Sequence, residues 1–569
     1  MEAAKVLMET VSKVRRRRTA PLVLELDLTE GLLEGPPADP LAALLSMRKP
    51  RLADVLTALK RARTDHRVTA LIVKIGGNRL GIGMVQELRT AVQALREAGK
   101  LTVAYSETFG EFGAGTIPYY LATAFERIYL QPSGDLGLTG VSIEARFVHD
   151  ALSKLGVEYQ LGQRHEYKSA ADMFTKSTMT EAHRESVARI AASVTEQVVS
   201  AVATSRGLTE DQVKELIDRG PFLGPEALAA GLVDKLAYRD EVYDEVKASV
   251  RRTEEPELLY VSRYHRGGIA GKLPHRSGDQ VVALVHGTGM IRLGRSGRSP
   301  LGGGGALGSD TICAALRSAR RDEKVKAIVL RVDSPGGSYV ASDSIWREVV
   351  LAKKAGKPVV VSMGDVAASG GYFISMAADA IVAQPGTLTG SIGVYGGKPV
   401  LAELFHRIGI GSEFVEEGAN AGIFSTSREF SAGEWERINA WLDRIYEDFV
   451  GKVAKGRGMD RDRAHDLARG RVWTGADARE RGLVDELGGL EDAMSIARKR
   501  AGLPIDAHVR TYPRMHPLER LRQPDSSDDK SAALSRLRLE AWGPLAHVAA
   551  QLGLPASGPL ILPGNWTVR

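Results

Sequence analysis

A single cysteine, Cys313, in 569 residues excludes an intrachain disulfide framework and a multi-cysteine metal site. Charge of one sign is also in short supply. The 76 Lys and Arg against 70 Asp and Glu leave a net charge of only +6, partly local to Arg15–Arg18, so a nucleic-acid partner is not expected. The opening stretch, MEAAKVLMETVSKVRRRR, lacks the continuous apolar run of a signal peptide and is too short and charged to span a bilayer. Val6, Leu7, Val11 and Val14 among basic neighbours suit an amphipathic helix on an anionic membrane surface and a solvated basic arm equally well. The Gly-rich run from Arg292 to Ser309 carries no strand-GxxxxGK[ST]-helix pattern, which excludes a phosphate loop and leaves a mobile loop as the expectation. The tail from Ala541 to Trp566 contains no Asp, Glu, Lys or Arg. Pro544, Pro555, Pro559 and Pro563 nevertheless argue against a spanning helix there, and docking on the body or an interfacial contact is expected. The chain is therefore expected in the cytoplasm or peripherally at the cell membrane, with neither a cofactor nor a metal.

What the sequence does contain is a long internal repeat. RVTALIVKI at Arg67 and KVKAIVLRV at Lys324 are β-branched runs of the kind that form buried strands. One constant offset carries Ala70 onto Ala327 and Gly99 onto Gly356, and each interval holds a strand and a helix ending in AGK. A slightly shorter offset pairs YYLATAFERIYLQP at Tyr119 with YFISMAADAIVAQP at Tyr372, Gly137 with Gly390, and Gly140-Val141 with Gly393-Val394. Gly231-Leu232-Val233-Asp234 returns as Gly482-Leu483-Val484-Asp485. Short strands alternating with amphipathic helices such as Leu52–Arg67 and Thr311–Glu323 predict two α/β halves. The division expected is a basic arm over 1–20, a first half over 21–250, a connector over 251–279 with a possible strand at Leu258–Val261, a second half over 280–503, and a linker and apolar tail over 504–569.

The halves differ where chemistry is expected. In DVAASGGY, from Asp365 to Tyr372, Ser369 stands between a strand and a helix start, followed by Gly370-Gly371. A helix N-terminus offers unpaired N–H groups and the positive end of a dipole, and glycines admit a substrate carbonyl to the main chain. At the matching places the first half has Thr116 and Ile117-Pro118, and Arg79-Leu80 in place of Gly336-Gly337. Conversely, the first half carries Lys168 in YKSA, whereas no lysine occurs between Lys398 and Lys452. One half thus offers a nucleophile and the other a base. Taken singly, SGG serves as well for a helix cap, Lys168 for a solvated charge, Ser391 for a turn hydroxyl and DSPGGS for a tight turn.

Taken together, GQRHEYKSAADMF around Lys168, VLRVDSPGGS around Gly336, AASGGY around Ser369 and TGSIGV around Ser391 resemble the signal peptide peptidase A family. The likeness is to its long, two-half form and covers about Pro21 to Leu503. The resemblance implies a tandem repeat of two crotonase/caseinolytic-protease-like domains built from strand-strand-helix units. It implies Ser369 as nucleophile, Lys168 as general base, Ser391 as the hydroxyl that orients the lysine, and the N–H groups of Gly336 and Gly370 as the oxyanion hole. Remnant signal peptides and other unfolded or hydrophobic peptides would be cleaved through an acyl-enzyme, in a homotetramer. A lysine can act as base only if burial lowers its pKa by roughly three units. A compensating acid would undo that, so no essential Asp or His is expected, and His165 is assigned to the surface. Two alternatives are a crotonase-type acyl-CoA enzyme, which needs a catalytic Glu or Asp near the oxyanion turn, and a non-catalytic membrane-associated scaffold.

Overall fold

The computed structural model describes residues 20–36, 49–76, 80–111, 113–251, 255–270, 280–298, 305–414, 420–512 and 560–561. The basic arm and nearly all of the apolar tail lie outside the described residues. Two parallel sheets organise the rest. The first runs, in spatial order, Lys235–Leu236, Arg127–Leu130, Leu101–Ser106, Val68–Lys74, Leu22–Asp27 and Glu257–Tyr260. The second is built on Val359–Ala368, Val325–Ser334, Val281–Thr288 and His508–Tyr512, all parallel. Ala380–Ala383 and then Glu486–Leu487 extend it beyond Val359–Ala368. The central strands are buried on both faces, as their unbroken apolar runs require, and helices cover each side.

The repeat extends to individual side-chain contacts. Tyr119 Oη donates to the Leu232 carbonyl at 2.7 Å, and Tyr372 Oη donates to the Leu483 carbonyl at 2.9 Å. Asp234 accepts the Ile128 N–H, and Asp485 the Ile381 N–H, each at 2.7 Å. Arg206 grips Asp234 as Arg457 grips Asp485. Such groups hold the helical layer to the strand ends in both halves.

The possible strand at Leu258–Val261 is present as Glu257–Tyr260, an edge strand of the first sheet, and the helix Val261–Ala270 follows it, with Tyr264 buried in the first core. Two other expectations are corrected. The repeat runs past Leu503 to His508–Tyr512, the counterpart of that edge strand; its arginine and threonine conceal it in the sequence. The Gly-rich run is not simply a loop. Met290–Arg292, Gly297–Arg298 and Gly305–Gly308 form a small sheet with Gly336–Gly337, small residues allowing the close approach, while residues 299–304 are not described. A Cβ on Gly337 would stand 2.0 Å from the Ile291 carbonyl oxygen.

The halves interlock through an antiparallel pair. Glu158–Gln163 of the first half lies against Tyr395–Val400 of the second, with Gln163 opposite Tyr395 and Glu158 opposite Val400. This ribbon carries the lysine segment across to the serine half. No helix among the described residues is long and apolar enough to cross a membrane.

Candidate active site

Ser369 stands where the strand Val359–Ala368 meets the short helix Gly370–Phe373, with φ 54° and ψ −113°. For a non-glycine residue this left-handed conformation costs on the order of 1–3 kcal/mol, and such strain collects at functional sites. The Ser369 N–H donates to the Gly390 carbonyl at 2.8 Å, which holds the turn against the strand Leu388–Gly390. Ser391, one residue further on, also has a positive φ, 50°. Its N–H donates to the Arg471 carbonyl at 2.7 Å.

Lys168 arrives from the other half. Just after the strand Glu158–Gln163 the chain turns through His165, and Lys168 then enters the interface between halves, where none of its surface reaches solvent. Two glycines make room. A Cβ on Gly470, whose φ is 83°, would come within 2.5 Å of the Lys168 backbone nitrogen, and one on Gly393 within 3.2 Å of Lys168 Cδ. Lys168 Nζ is 3.0 Å from Ser369 Oγ, 2.9 Å from Ser391 Oγ and 3.0 Å from the Ser391 carbonyl oxygen. None of these partners carries a charge, so burial alone pushes the amine down from the ordinary lysine range to about 7. A neutral amine has two N–H donors and one lone pair. The Ser391 carbonyl must accept, Ser391 Oγ takes the second proton, and the lone pair is left to receive the Ser369 hydroxyl proton.

Gly336 and Gly370 also meet. A Cβ on Gly370 would be 3.1 Å from Gly336 Cα, and Gly336 has φ 105°, open to glycine but strained for other residues. The Gly336 N–H donates to Ser334 Oγ at 3.2 Å. All five residues expected at the site therefore gather around one point, with Ser369, Ser391 and Lys168 wholly buried.

His165 corrects an expectation. It is half-buried, its ring tilted against that of Tyr446 at 4.5 Å and edge-on to that of His465 at 4.8 Å, and burial holds its pKa below the usual imidazole range. It packs the base of the lysine segment. Asp172 is buried near Lys168 in sequence but accepts from Thr180 Oγ1 at 3.3 Å. Missed in the sequence are the glycines flanking Lys168 and two half-buried aspartates, Asp333 and Asp365, which precede the two glycine turns in the motifs quoted above. Their signal was a carboxylate inside an otherwise apolar strand. A third feature was equally hidden: Leu560–Ile561 pairs antiparallel with Gly336–Gly337.

The model of the family described as "Peptidase family S49" matches residues 94–252 and 351–504, one segment in each half. "Serine protease SPPA, chloroplastic" of Arabidopsis thaliana is 32% identical over 452 residues, 79% of this chain and 65% of that protein. "Protease 4" of Salmonella typhi is 33% identical over 462 residues, 79% of this chain and 72% of the relative. The matched region thus spans about two thirds of the length of these relatives. Among solved structures, a ClpP1 mutant from Listeria monocytogenes aligns over 37% of this chain and 94% of its own at 17% identity and TM-score 0.24. With both halves matched by one family model, and relatives 32% and 33% identical over about four fifths of its length, the chain belongs to peptidase family S49.

Proposed function

We propose that the chain is a serine endopeptidase in which Ser369 is the nucleophile, Lys168 the general base, Ser391 the hydroxyl that orients the amine, and the Gly336 and Gly370 N–H groups the oxyanion hole. The observation that carries this reading is the 3.0 Å contact between Lys168 Nζ and Ser369 Oγ, buried and free of any acid. Lys168 takes the hydroxyl proton as Oγ attacks the scissile carbonyl. The oxyanion forms against Gly336 and Gly370, which requires the Gly336 N–H to leave Ser334 Oγ. The protonated lysine then gives its proton to the leaving amine, and water repeats the sequence on the acyl-enzyme.

The substrate class proposed is extended peptide: remnant signal peptides after release and other unfolded or hydrophobic segments. Its support is the Gly336–Gly337 edge, which already pairs with the backbone of Leu560–Ile561. An extended chain laid on that edge passes beside Ser369 by strand addition. A homotetramer is proposed on a different ground. The helix Ala402–Arg407 meets the turn that follows the helix His149–Lys154, the Leu404 N–H donating to the Gly156 carbonyl, and Leu155, Ile408 and Ile410 beside these elements are exposed, apolar side chains of the kind that interfaces cover. Peripheral contact with a membrane through the basic arm belongs to the same proposal.

The test is labelling with a fluorophosphonate probe, read by intact mass, on wild type, Ser369→Ala and Lys168→Ala. One adduct on wild type that disappears in both folded variants is expected. A folded, assembled wild type that takes no adduct would defeat the reading and move the acyl-CoA and scaffold alternatives ahead.

A further inference from the structure

The strands that end at Gly336 and at Ser369 are out of step just before they reach the site. Val332 lies opposite Met363 and Ser334 opposite Ala367, so one residue, Asp333, faces three, Gly364, Asp365 and Val366. Such a bulge leaves ladder groups without partners. Asp333 Oδ1 satisfies one of them by accepting the Val366 N–H at 3.0 Å. Its side chain lies over Gly364, where a Cβ would stand 2.9 Å from Asp333 Cβ. Asp365 reaches into the lysine-bearing half instead. Its Oδ1 accepts the Met84 N–H at 2.8 Å, and the Gly83 N–H adds a further bond. The helix Ile82–Glu97, whose own cap residue is Gly81, is thereby capped from the opposite half. Gly81 leaves space for this, since a Cβ there would lie 2.1 Å from Asp365 Cγ.

The charges around the pair are few. On the Asp333 strand Arg331 pairs with Glu34 at 2.5 Å and with Glu87 of the capped helix at 2.6 Å. Glu87 also accepts the Leu490 N–H at 2.9 Å. His286, on the neighbouring strand, is held down to about 4 by burial and stays neutral. Arg331 is thus already engaged by two glutamates. Burial pushes both aspartates above the ordinary carboxyl range. The negative charges of Asp365 and Glu34 add to this at Asp333, whereas the Met84 and Gly83 N–H groups pull Asp365 back.

We propose that Asp333 and Asp365 are positioning residues of the peptidase site. Asp333 closes the bulge that sets Gly336 against Ser369, and Asp365 fastens that bulge to the half that supplies Lys168. Asp333 stands three residues before Gly336 and Asp365 four before Ser369, so a slip of the bulge displaces the oxyanion turn relative to the nucleophile. The inference rests on the Ser369–Lys168 reading above. It adds that Asp333 works in its protonated form, since ionisation would set a second negative charge beside Asp365 in the same bulge.

The experiment is the pH profile of kcat and KM on a fluorogenic hydrophobic peptide, for the full chain carrying Asp333→Asn, Asp333→Ala or Asp365→Asn, with fluorophosphonate labelling alongside. Wild-type activity is expected to fall on the alkaline side as Asp333 ionises. Asp333→Ala, which leaves the Val366 N–H unpaired, should lose about 100-fold in kcat with a much smaller change in KM. Asp333→Asn, whose amide oxygen still accepts that N–H, should rescue activity near neutrality to within about threefold and abolish the alkaline fall. Asp365→Asn should lower kcat about tenfold, the cap having lost its charge. If Asp333→Ala does not fold, the Asp333→Asn profile decides alone. An Asp333→Asn enzyme that keeps the wild-type alkaline limb, or a folded Asp333→Ala enzyme with wild-type kcat, overturns the proposal. A wild type that takes no probe overturns the catalytic reading and this inference with it; a labelled wild type with an unchanged Asp333→Asn profile overturns this inference alone.

Discussion

Lys168 Nζ and Ser369 Oγ lie 3.0 Å apart across 201 residues of chain, and both side chains are inaccessible to solvent. The lysine is therefore delivered by the half that lacks the serine, within one polypeptide. Burial, with no charged partner, lowers its pKa.

The acid limb of the pH profile follows from that burial. With the lysine lowered to about 7, kcat/KM should fall about tenfold per pH unit below that value, and above it should hold level only until the alkaline fall assigned to Asp333 begins. Lys168→Arg, whose guanidinium does not deprotonate, should be inactive at every pH while the fold persists. Measurable Lys168→Arg turnover at alkaline pH would count against the lysine as base.

Burying this amine also costs stability, with a definite sign. The unfolded lysine titrates near 10.5 and the folded one near 7. Between those values the native state holds fewer protons than the unfolded chain, so this group makes stability rise with pH across that window. Its full cost is felt below about pH 7. Lys168→Met should therefore be more stable than wild type by about 3 to 5 kcal/mol at pH 6, the two converging near pH 10. Urea titrations at the two pH values measure the difference.

Ser391 contributes two of the three contacts to the amine, through Oγ and through its carbonyl. Ser391→Ala removes only the first. The lysine should remain buried but less well aimed, lowering kcat roughly 10- to 100-fold with KM little changed. Steady-state kinetics of folded Ser391→Ala with wild-type kcat would show that the hydroxyl has no part in aiming the base.

Gly470 has φ 83° and packs against the lysine backbone. Gly470→Ala combines a strained conformation with a collision at Lys168, and should reduce probe labelling of Ser369 about 100-fold without touching either residue chemically. Gly294→Ala, also at a positive φ but with open space around it, is the control for backbone strain alone and should label like wild type.

The pairing of Leu560–Ile561 with Gly336–Gly337 occupies the edge assigned above to substrate. Removing residues 531–569 should lower KM for peptides and leave kcat unchanged. A synthetic peptide of sequence PLILP, matching Pro559–Pro563, should compete with substrate on the truncated enzyme. An unchanged KM would place peptide binding elsewhere.

The two-half architecture was legible in the sequence because buried parallel strands need apolar residues on both faces. RVTALIVKI and KVKAIVLRV meet that need twice at nearly constant spacing. The candidate site residues were legible for a related reason: Ser369, Gly336 and Lys168 break the repeat, and a strained serine turn or a glycine at positive φ leaves a mark in the residue types. The strands at Glu257–Tyr260 and His508–Tyr512 were harder to see, because an edge strand is half exposed and tolerates polar residues. Only the tertiary structure decided that Lys168 meets Ser369 in the same chain, since the antiparallel ribbon of Glu158–Gln163 on Tyr395–Val400 sets that distance. It alone also revealed Asp333 and Asp365 as a pair. Each is an unremarked carboxylate in its own motif; their proximity arises from a bulge in strand register, which depends on hydrogen bonds between segments far apart in the chain.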